Sequence, residues 1–134
     1  MFENIRPMIY YSLYIENTPN MGRGVYTRET IAANTIVEVS PVIVMSQEER
    51  KLLDQTTLHD YIHEWGYKLD QCCLALGYCA VYNHSYQSNC EYEMDFETST
   101  MTIKTVRLIE EGEQLYVNYN GNWNDTTPLW FPAQ

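Results

Sequence analysis

The sequence predicts a mostly β fold with one or two short helices, and three observations lead there. Glu91, Glu93, Asp95 and Glu97 alternate with Tyr92, Met94 and Phe96, the period of two of a half-buried strand. Several further runs are rich in Tyr, Val and Ile and are separated by Gly, Asn and Pro clusters, the punctuation of a multi-stranded domain. Against these stands one clear helix start, Ser46 with Glu49 three residues on, which is a capping-box pattern.

Taken in order, MIYYSLYI (Met8–Ile15) reads as a strand and NTPNMGRG (Asn17–Gly24) as turn chemistry. A strand at Val25–Thr27, a turn through Ala32–Asn34 and a strand at Thr35–Val39 follow. The helix opened by Ser46 covers SQEERKLLDQ, and LHDYIHEW (Leu58–Trp65) reads as its continuation. The period of LALGYCAVYNHS (Leu74–Ser85) is ambiguous, and a short helix is the preferred assignment. After the Glu91–Glu97 strand, TMTIKTVRLIEEGEQLYVNYN supplies two more strands joined around Glu110–Glu113, with Gly112 free to take positive φ.

At 134 residues the chain suits one domain with a core of its own. Twelve tyrosines suit lined pockets, because each ring offers an apolar body and a hydroxyl tip. The net charge of −10 argues against general nucleic-acid binding, which needs a cationic footprint, and favours basic partners. Cys72, Cys73, Cys79 and Cys90 make no CxxC pair and read as reduced residues, Cys72 and Cys73 as small core side chains. The N-terminus has no secretion-signal pattern, and no run approaches the roughly 20 apolar residues of a membrane span. An intracellular, cytoplasmic location is expected.

Taken singly, the polar features have plain structural explanations. The Gly22–Gly24 turn lets a backbone approach a ligand, but it also suits an ordinary hairpin. His59 and His63 stand four apart, yet no neighbouring carboxylate or cysteine completes a four-ligand set, so no metal is assigned. The acidic strand Glu91–Glu97 is a solvated face unless Tyr92 lines a pocket, in which case it suits docking of a basic peptide. Trp123, Trp130 and Phe131 pack over a core edge or cover a flat ring. The run YNHSYQSNC (Tyr82–Cys90) crowds side chains that compete with the backbone for hydrogen bonds, as a tight or ligand-shaped loop does.

Their order is more informative. A Gly-x-Gly turn (Gly22, Gly24), an Asn-His-Ser loop ending in Asn-Cys (Asn83, His84, Ser85, Asn89, Cys90), and Gly-Glu-x-Leu leading to a Tyr (Gly112, Glu113, Leu115, Tyr119) follow one another at these separations. In this the chain resembles the SET-domain family of protein-lysine methyltransferases, from about Gly22 to Asn120. The resemblance implies a SET fold, several small antiparallel sheets around a C-terminal pseudoknot; residues 1–134 are read as one such domain, and the aromatic tail 121–134 is expected to cover the cofactor site. It implies S-adenosylmethionine as cofactor, S-adenosylhomocysteine as product, and a lysine-containing basic protein or peptide as substrate. Gly22, Arg23, Gly24, Asn83, His84, Tyr119 and Trp123 would bind the cofactor, and Tyr119 and Tyr92 would be the catalytic tyrosines. No direct nucleic-acid or membrane partner is implied; a homodimer is allowed, and a nuclear location follows where the substrate is chromatin.

Departures from the family pattern define the alternative. Ser88 stands for the usual Pro, Asn118 for the frequent Asp, and Val117 for a Phe or Tyr that tunes methyl number. Ser40 and Pro41 occupy a stretch where a further channel Tyr is common, and zinc-binding C-terminal cysteines are absent. Trp123 with Trp130–Phe131 is expected to close the cofactor site instead. The alternative is a SET-fold module of little or no turnover that acts through cofactor or protein binding.

Overall fold

The computed structural model describes residues 6–121 and 123–128. It contains β1 (Met8–Ile9), β2 (Leu13–Asn17), β3 (Arg23–Thr27), β4 (Ile36–Met45), α1 (Gln47–Leu53), a 3-10 turn (Thr57–Asp60), β5 (Ile62–Trp65), β6 (Gln71–Ala75), β7 (Asn83–His84), β8 (Cys90–Asp95), β9 (Thr100–Thr105) and β10 (Gln114–Val117). The mostly β expectation holds. The helix is capped as its sequence predicts: Glu49 N–H donates to Ser46 Oγ at 3.1 Å and Ser46 N–H to Glu49 Oε2 at 2.7 Å.

Two curled sheets carry the strands. The larger has the order β5-β6-β4-β9-β8, with β1 also on β4; the smaller has the order β2-β3-β10-β7. All pairings are antiparallel except β10 with β7, where Tyr116 faces Asn83 and Val117 faces His84. β4 bridges the larger sheet, pairing with β9 up to Pro41 and with β6 from Val42 onward. The two ends of that sheet curl together: His63 of β5 lies 6.0 Å from Tyr92 of β8, and Trp65 makes an edge contact with Phe96 at 5.0 Å. Val25, Val37, Ile103, Ile109, Leu115 and Val117 form the heart of the core between the sheets. Each such side chain contributes about 1.5–3 kcal/mol of burial.

Several expectations change. The first strand breaks at Tyr10–Ser12 into β1 and β2, which join different sheets. Leu58–Trp65 is not helical throughout; after the 3-10 turn it becomes β5, because Ile62–Trp65 finds a partner in β6. Leu74–Ser85 is no helix either: it is the end of β6, a turn at Gly77 (φ +76) and the short β7. β9 and β10 are not a hairpin, for β10 leaves the larger sheet and pairs with β3 and β7. The parallel pairing of β10 with β7 lies where the family resemblance expects the pseudoknot.

Candidate active site

The three sequence motifs meet at β10. Gly22 takes φ +71 in the turn before β3, where Thr18 N–H donates to its carbonyl at 2.6 Å. Gly24 serves differently: a Cβ there would stand 2.5 Å from Gln114 Oε1, so its close approach is to β10. Asn83 Nδ2 ties the pieces together, donating to the Arg23 carbonyl at 3.0 Å and to Gln114 Oε1 at 2.9 Å. Asn89 grips the same strand from the other end of the loop. Its Nδ2 donates to the Gln114 carbonyl at 2.8 Å and its Oδ1 accepts the Tyr116 N–H at 2.7 Å. The density of Asn in this loop therefore has a physical reason: its amides replace ladder bonds where β10 passes it.

His84 is buried, and its Nδ1 accepts the Tyr119 N–H at 3.0 Å. Burial holds its pKa below the usual imidazole value. An acceptor Nδ1 puts the proton of the neutral ring on Nε2, and that buried N–H has no partner among the described residues. An acceptor-rich ligand suits that orphaned donor, and S-adenosylmethionine offers carboxylate, ribose and adenine acceptors.

A cavity of about 1120 Å³ opens between the curled ends of the larger sheet. Tyr82, Tyr92 and Tyr119 line it together with His63, Met94 and Phe96, while Asp60, Glu64 and Glu93 add carboxylates. Tyr92 thus lines a pocket, the condition under which the acidic strand becomes more than a solvated face. The Tyr119 ring is open to the cavity, but its hydroxyl end is enclosed and donates to the Tyr82 carbonyl at 2.9 Å. That enclosure, helped by neighbouring Tyr92, pushes its pKa up to about 12. Burial also raises the Tyr92 pKa. Both hydroxyls stay protonated at neutral pH. The cavity can therefore receive a long side chain with a cationic or amine end against aromatic faces and neutral hydroxyls.

The SET-domain family model matches residues 22–120 of the 134. This chain belongs to the SET-domain family. As a SET domain it is 33% identical over 126 residues to a histone-lysine N-methyltransferase, H3 lysine-37 specific, of Schizosaccharomyces pombe, covering 93% of this chain and 80% of that protein. It is 27% identical over 136 residues to histone-lysine N-methyltransferase SETD7 of Halocynthia roretzi, spanning 87% of this chain but only 35% of that longer protein. A crystal structure of a Plasmodium falciparum protein described as a candidate histone methyltransferase superposes with a TM-score of 0.65 at 27% identity, covering 86% of this chain and 98% of that one.

Two departures from the family pattern acquire a physical role in this SET domain. Ser88 supplies an N–H that a proline would lack, and it donates to the Trp123 carbonyl at 3.0 Å. The Ser88 hydroxyl lies 2.7 Å from the Cys90 carbonyl and 3.1 Å from that of Trp123. Asn118, where an aspartate would offer no donor, places Nδ2 2.7 Å from the Asp125 carbonyl and 3.3 Å from that of Tyr86. Asn120 Nδ2 reaches the Thr127 carbonyl at 2.7 Å. These donors fasten the segment after β10 beside the loop. The Trp123 side chain is exposed, and Trp130 and Phe131 lie outside the described residues.

The remaining sequence candidates divide clearly. His59 and His63 do not share a helix face: His59 Nδ1 lies 2.9 Å from Asp54 Oδ1, whereas His63 is on β5 facing the cavity. No cluster of three or more His, Cys, Asp or Glu side chains suited to a metal occurs among the described residues. Arg23 enters the motif junction through its carbonyl, and its residue is exposed. Val117 is packed in the core. All four cysteines are buried and unbridged. Ser40 is buried with Oγ 2.6 Å from Glu38 Oε2. Sequence reasoning missed Glu38; the signal available was a single charged residue inside the mostly apolar run TIVEVSPVIVM. No helix among the described residues is long and apolar enough to cross a membrane.

Proposed function

We propose that this SET domain transfers a methyl group from S-adenosylmethionine to the side-chain amine of a lysine in a protein, releasing S-adenosylhomocysteine. The observation that carries the reading is the junction itself. Asn83 joins the Gly22–Gly24 turn to β10, while His84 joins the same loop to Tyr119, the residue that opens onto the tyrosine-lined cavity. Gly22, Arg23, Gly24, Asn83 and His84 would hold the cofactor, largely through backbone groups, with Trp123 covering it. Tyr119 and Tyr92 would act on the substrate side.

When bound, the cofactor supplies an electrophilic methyl on a sulfonium. The chain's task is to present a neutral amine in line with it in a dry channel. A lysine starts with a pKa near 10.4, so it arrives as an ammonium and must release one proton to bulk water before its nitrogen attacks the methyl and the thioether leaves. Aromatic faces of Tyr92 and Tyr119 receive that cation. The Tyr119 proton is committed to the Tyr82 carbonyl, so toward any other partner its oxygen only accepts. An acceptor there holds an amine N–H and turns the nitrogen lone pair away from itself, toward the methyl.

Asp60, Glu64 and Glu93 at the cavity, on a chain of net charge −10, favour a basic segment around the target lysine. The relatives named as histone-lysine methyltransferases make histone peptides the first substrates to test. Calorimetric titration with S-adenosylmethionine on wild type and Asn83→Ala, followed by mass spectrometry of basic peptides, tests the reading. One-to-one binding that the substitution weakens, and a mass gain of methyl units on lysine, are expected. A folded wild type that binds cofactor but methylates no peptide or protein in a broad basic set would favour the non-catalytic module.

A further inference from the structure

Glu38 of β4 is fully buried, and its carboxyl group accepts four hydrogen bonds from described residues of its own chain. Oε2 accepts from Ser40 Oγ at 2.6 Å, from the Tyr78 N–H at 2.8 Å and from Cys79 Sγ at 3.3 Å; Oε1 accepts from the Tyr82 hydroxyl at 3.0 Å. The turn folds tightly over it, since a Cβ on Gly77 would stand 2.6 Å from both Glu38 Oε2 and Ser40 Oγ. Enclosing a carboxyl group in this way is costly, and an apolar residue of similar volume would serve a core as well or better. What the carboxyl group gives is a fixed geometry for the turn that leads into the Asn83–His84 motif.

Tyr82 carries that geometry to the cavity. Its hydroxyl is held by Glu38, and its carbonyl receives the Tyr119 hydroxyl at 2.9 Å. We propose that Glu38 is a positioning residue for methyl transfer: it clamps Tyr82, whose carbonyl then fixes the Tyr119 hydroxyl as an acceptor aimed at the substrate amine. The inference rests on the methyltransferase reading above. Glu38 touches neither substrate nor cofactor; it acts through Tyr82. The proton on Tyr119 stays available for this bond, because enclosure keeps that hydroxyl from ionising below about 12.

The test compares Tyr82→Phe and Glu38→Gln with Ser12→Ala. The last removes a buried hydroxyl in the turn before β2, 2.7 Å from Thr27 Oγ1 of β3 in the smaller sheet and not among the residues lining the cavity. Rates are measured per folded molecule, well below each melting transition, with KM for peptide and Kd for S-adenosylmethionine alongside. Tyr82→Phe and Glu38→Gln should each lower kcat by about tenfold or more with KM and Kd within about twofold, while Ser12→Ala keeps kcat. In a Tyr119→Phe background the Tyr82→Phe effect should vanish, because the hydroxyl it positions is gone. That loss of effect distinguishes positioning from general loosening. Should Tyr82→Phe fold poorly, Glu38→Gln alone decides by the same split. Wild-type kcat in a folded Tyr82→Phe or Glu38→Gln, or an undiminished Tyr82→Phe effect without the Tyr119 hydroxyl, would overturn the inference while leaving the methyltransferase reading intact. Absence of methyl transfer in the wild type would take both down.

Discussion

Gly24→Ala should damage this protein far more than its one added carbon suggests. The new Cβ would stand 2.5 Å from Gln114 Oε1 and 2.9 Å from Thr18 Cγ2. Gln114 cannot easily retreat: Oε1 accepts from Asn83 at 2.9 Å, and Nε2 reaches the hydroxyls of Tyr116 at 2.9 Å and Tyr26 at 3.3 Å. Relieving the clash needs a withdrawal of close to an ångström, enough to break two of those bonds at about 0.5–1.5 kcal/mol each. Overpacking of this kind costs about 1–3 kcal/mol by itself, so a total of about 2–6 kcal/mol is expected. At roughly 3–5 °C per kcal/mol for a chain of this size, the melting temperature should drop by about 15 °C. Gly22→Ala meets nothing within 4 Å and should cost only the strain of φ +71, about 1 kcal/mol. The assay is a denaturation cycle with Gln114→Ala, which removes the obstacle. A favourable coupling of about 1 kcal/mol or more is expected between Gly24→Ala and Gln114→Ala. Additivity within about 0.5 kcal/mol would refute the steric argument.

Other expectations follow from the same geometry. Tyr119→Phe deletes the hydroxyl bonded to Tyr82, and kcat should fall about 100-fold with cofactor affinity little changed; full turnover would remove Tyr119 from the catalytic role. Ser88→Ala loosens the segment carrying Trp123 by about 0.5–1.5 kcal/mol and should weaken S-adenosylmethionine binding about 2–10-fold. Truncation after Asn120 should weaken it further, and near-wild-type affinity of that truncation, read by calorimetry, would exclude the segment from the cofactor site. Burial lowers the folded-state pKa of His84 and of His63, so the stability each contributes is complete above the usual value of about 6.5 and is lost as pH falls toward the lowered one. Denaturation midpoints should therefore decline below about pH 6.5, and His84→Gln should flatten that slope. On the alkaline side the rate should climb as the target lysine approaches its pKa of about 10.4, without a loss traceable to Tyr119 below about 12.

Local chemistry made much of this fold legible. The capping box at Ser46 appears as expected. The Glu91–Glu97 alternation marks a strand that is there, but β8 runs Cys90–Asp95, and Phe96 and Glu97 fall in the turn after it. Glu91 and Asp95 are half-buried like Tyr92 and Met94. The motif residues were readable because Gly, Asn and His stand where ordinary strands would not put them. Pairing over long distances was not readable. Ile62–Trp65 is a strand only because β6 is beside it, and Gln114–Val117 abandons its sequence neighbour β9 for partners at residues 25–26 and 83–84. Nor does a pattern of two reveal Glu38, since a carboxylate in a strand normally points to water. The bulge in β4 between Ile36 and Glu38 interrupts the register beside it, and apart from Ser40 the donors to Glu38 come from Tyr78, Cys79 and Tyr82, some 40 positions later. Ser88 and Asn118 were legible only as departures; the carbonyls they serve, at Trp123 and Asp125, required the folded chain.

The late position of β10 also bears on how the molecule is made. Both of its partners, β3 and β7, lie upstream in the chain, and the contact with Tyr26 closes a loop of 88 residues. Until it docks, the edges of β3 and β7 are unpaired, and open strand edges invite association with other chains. Closures of this span are slow relative to local hairpins. The larger sheet, by contrast, has all its strands by Thr105. A ligand bound at the motif junction would thus stabilise only chains in which β10 has docked, by mass action on that form. Lesions in β10 should be felt first as a lower yield of binding-competent molecules during synthesis, and supplying the ligand while the chain folds should recover part of that yield.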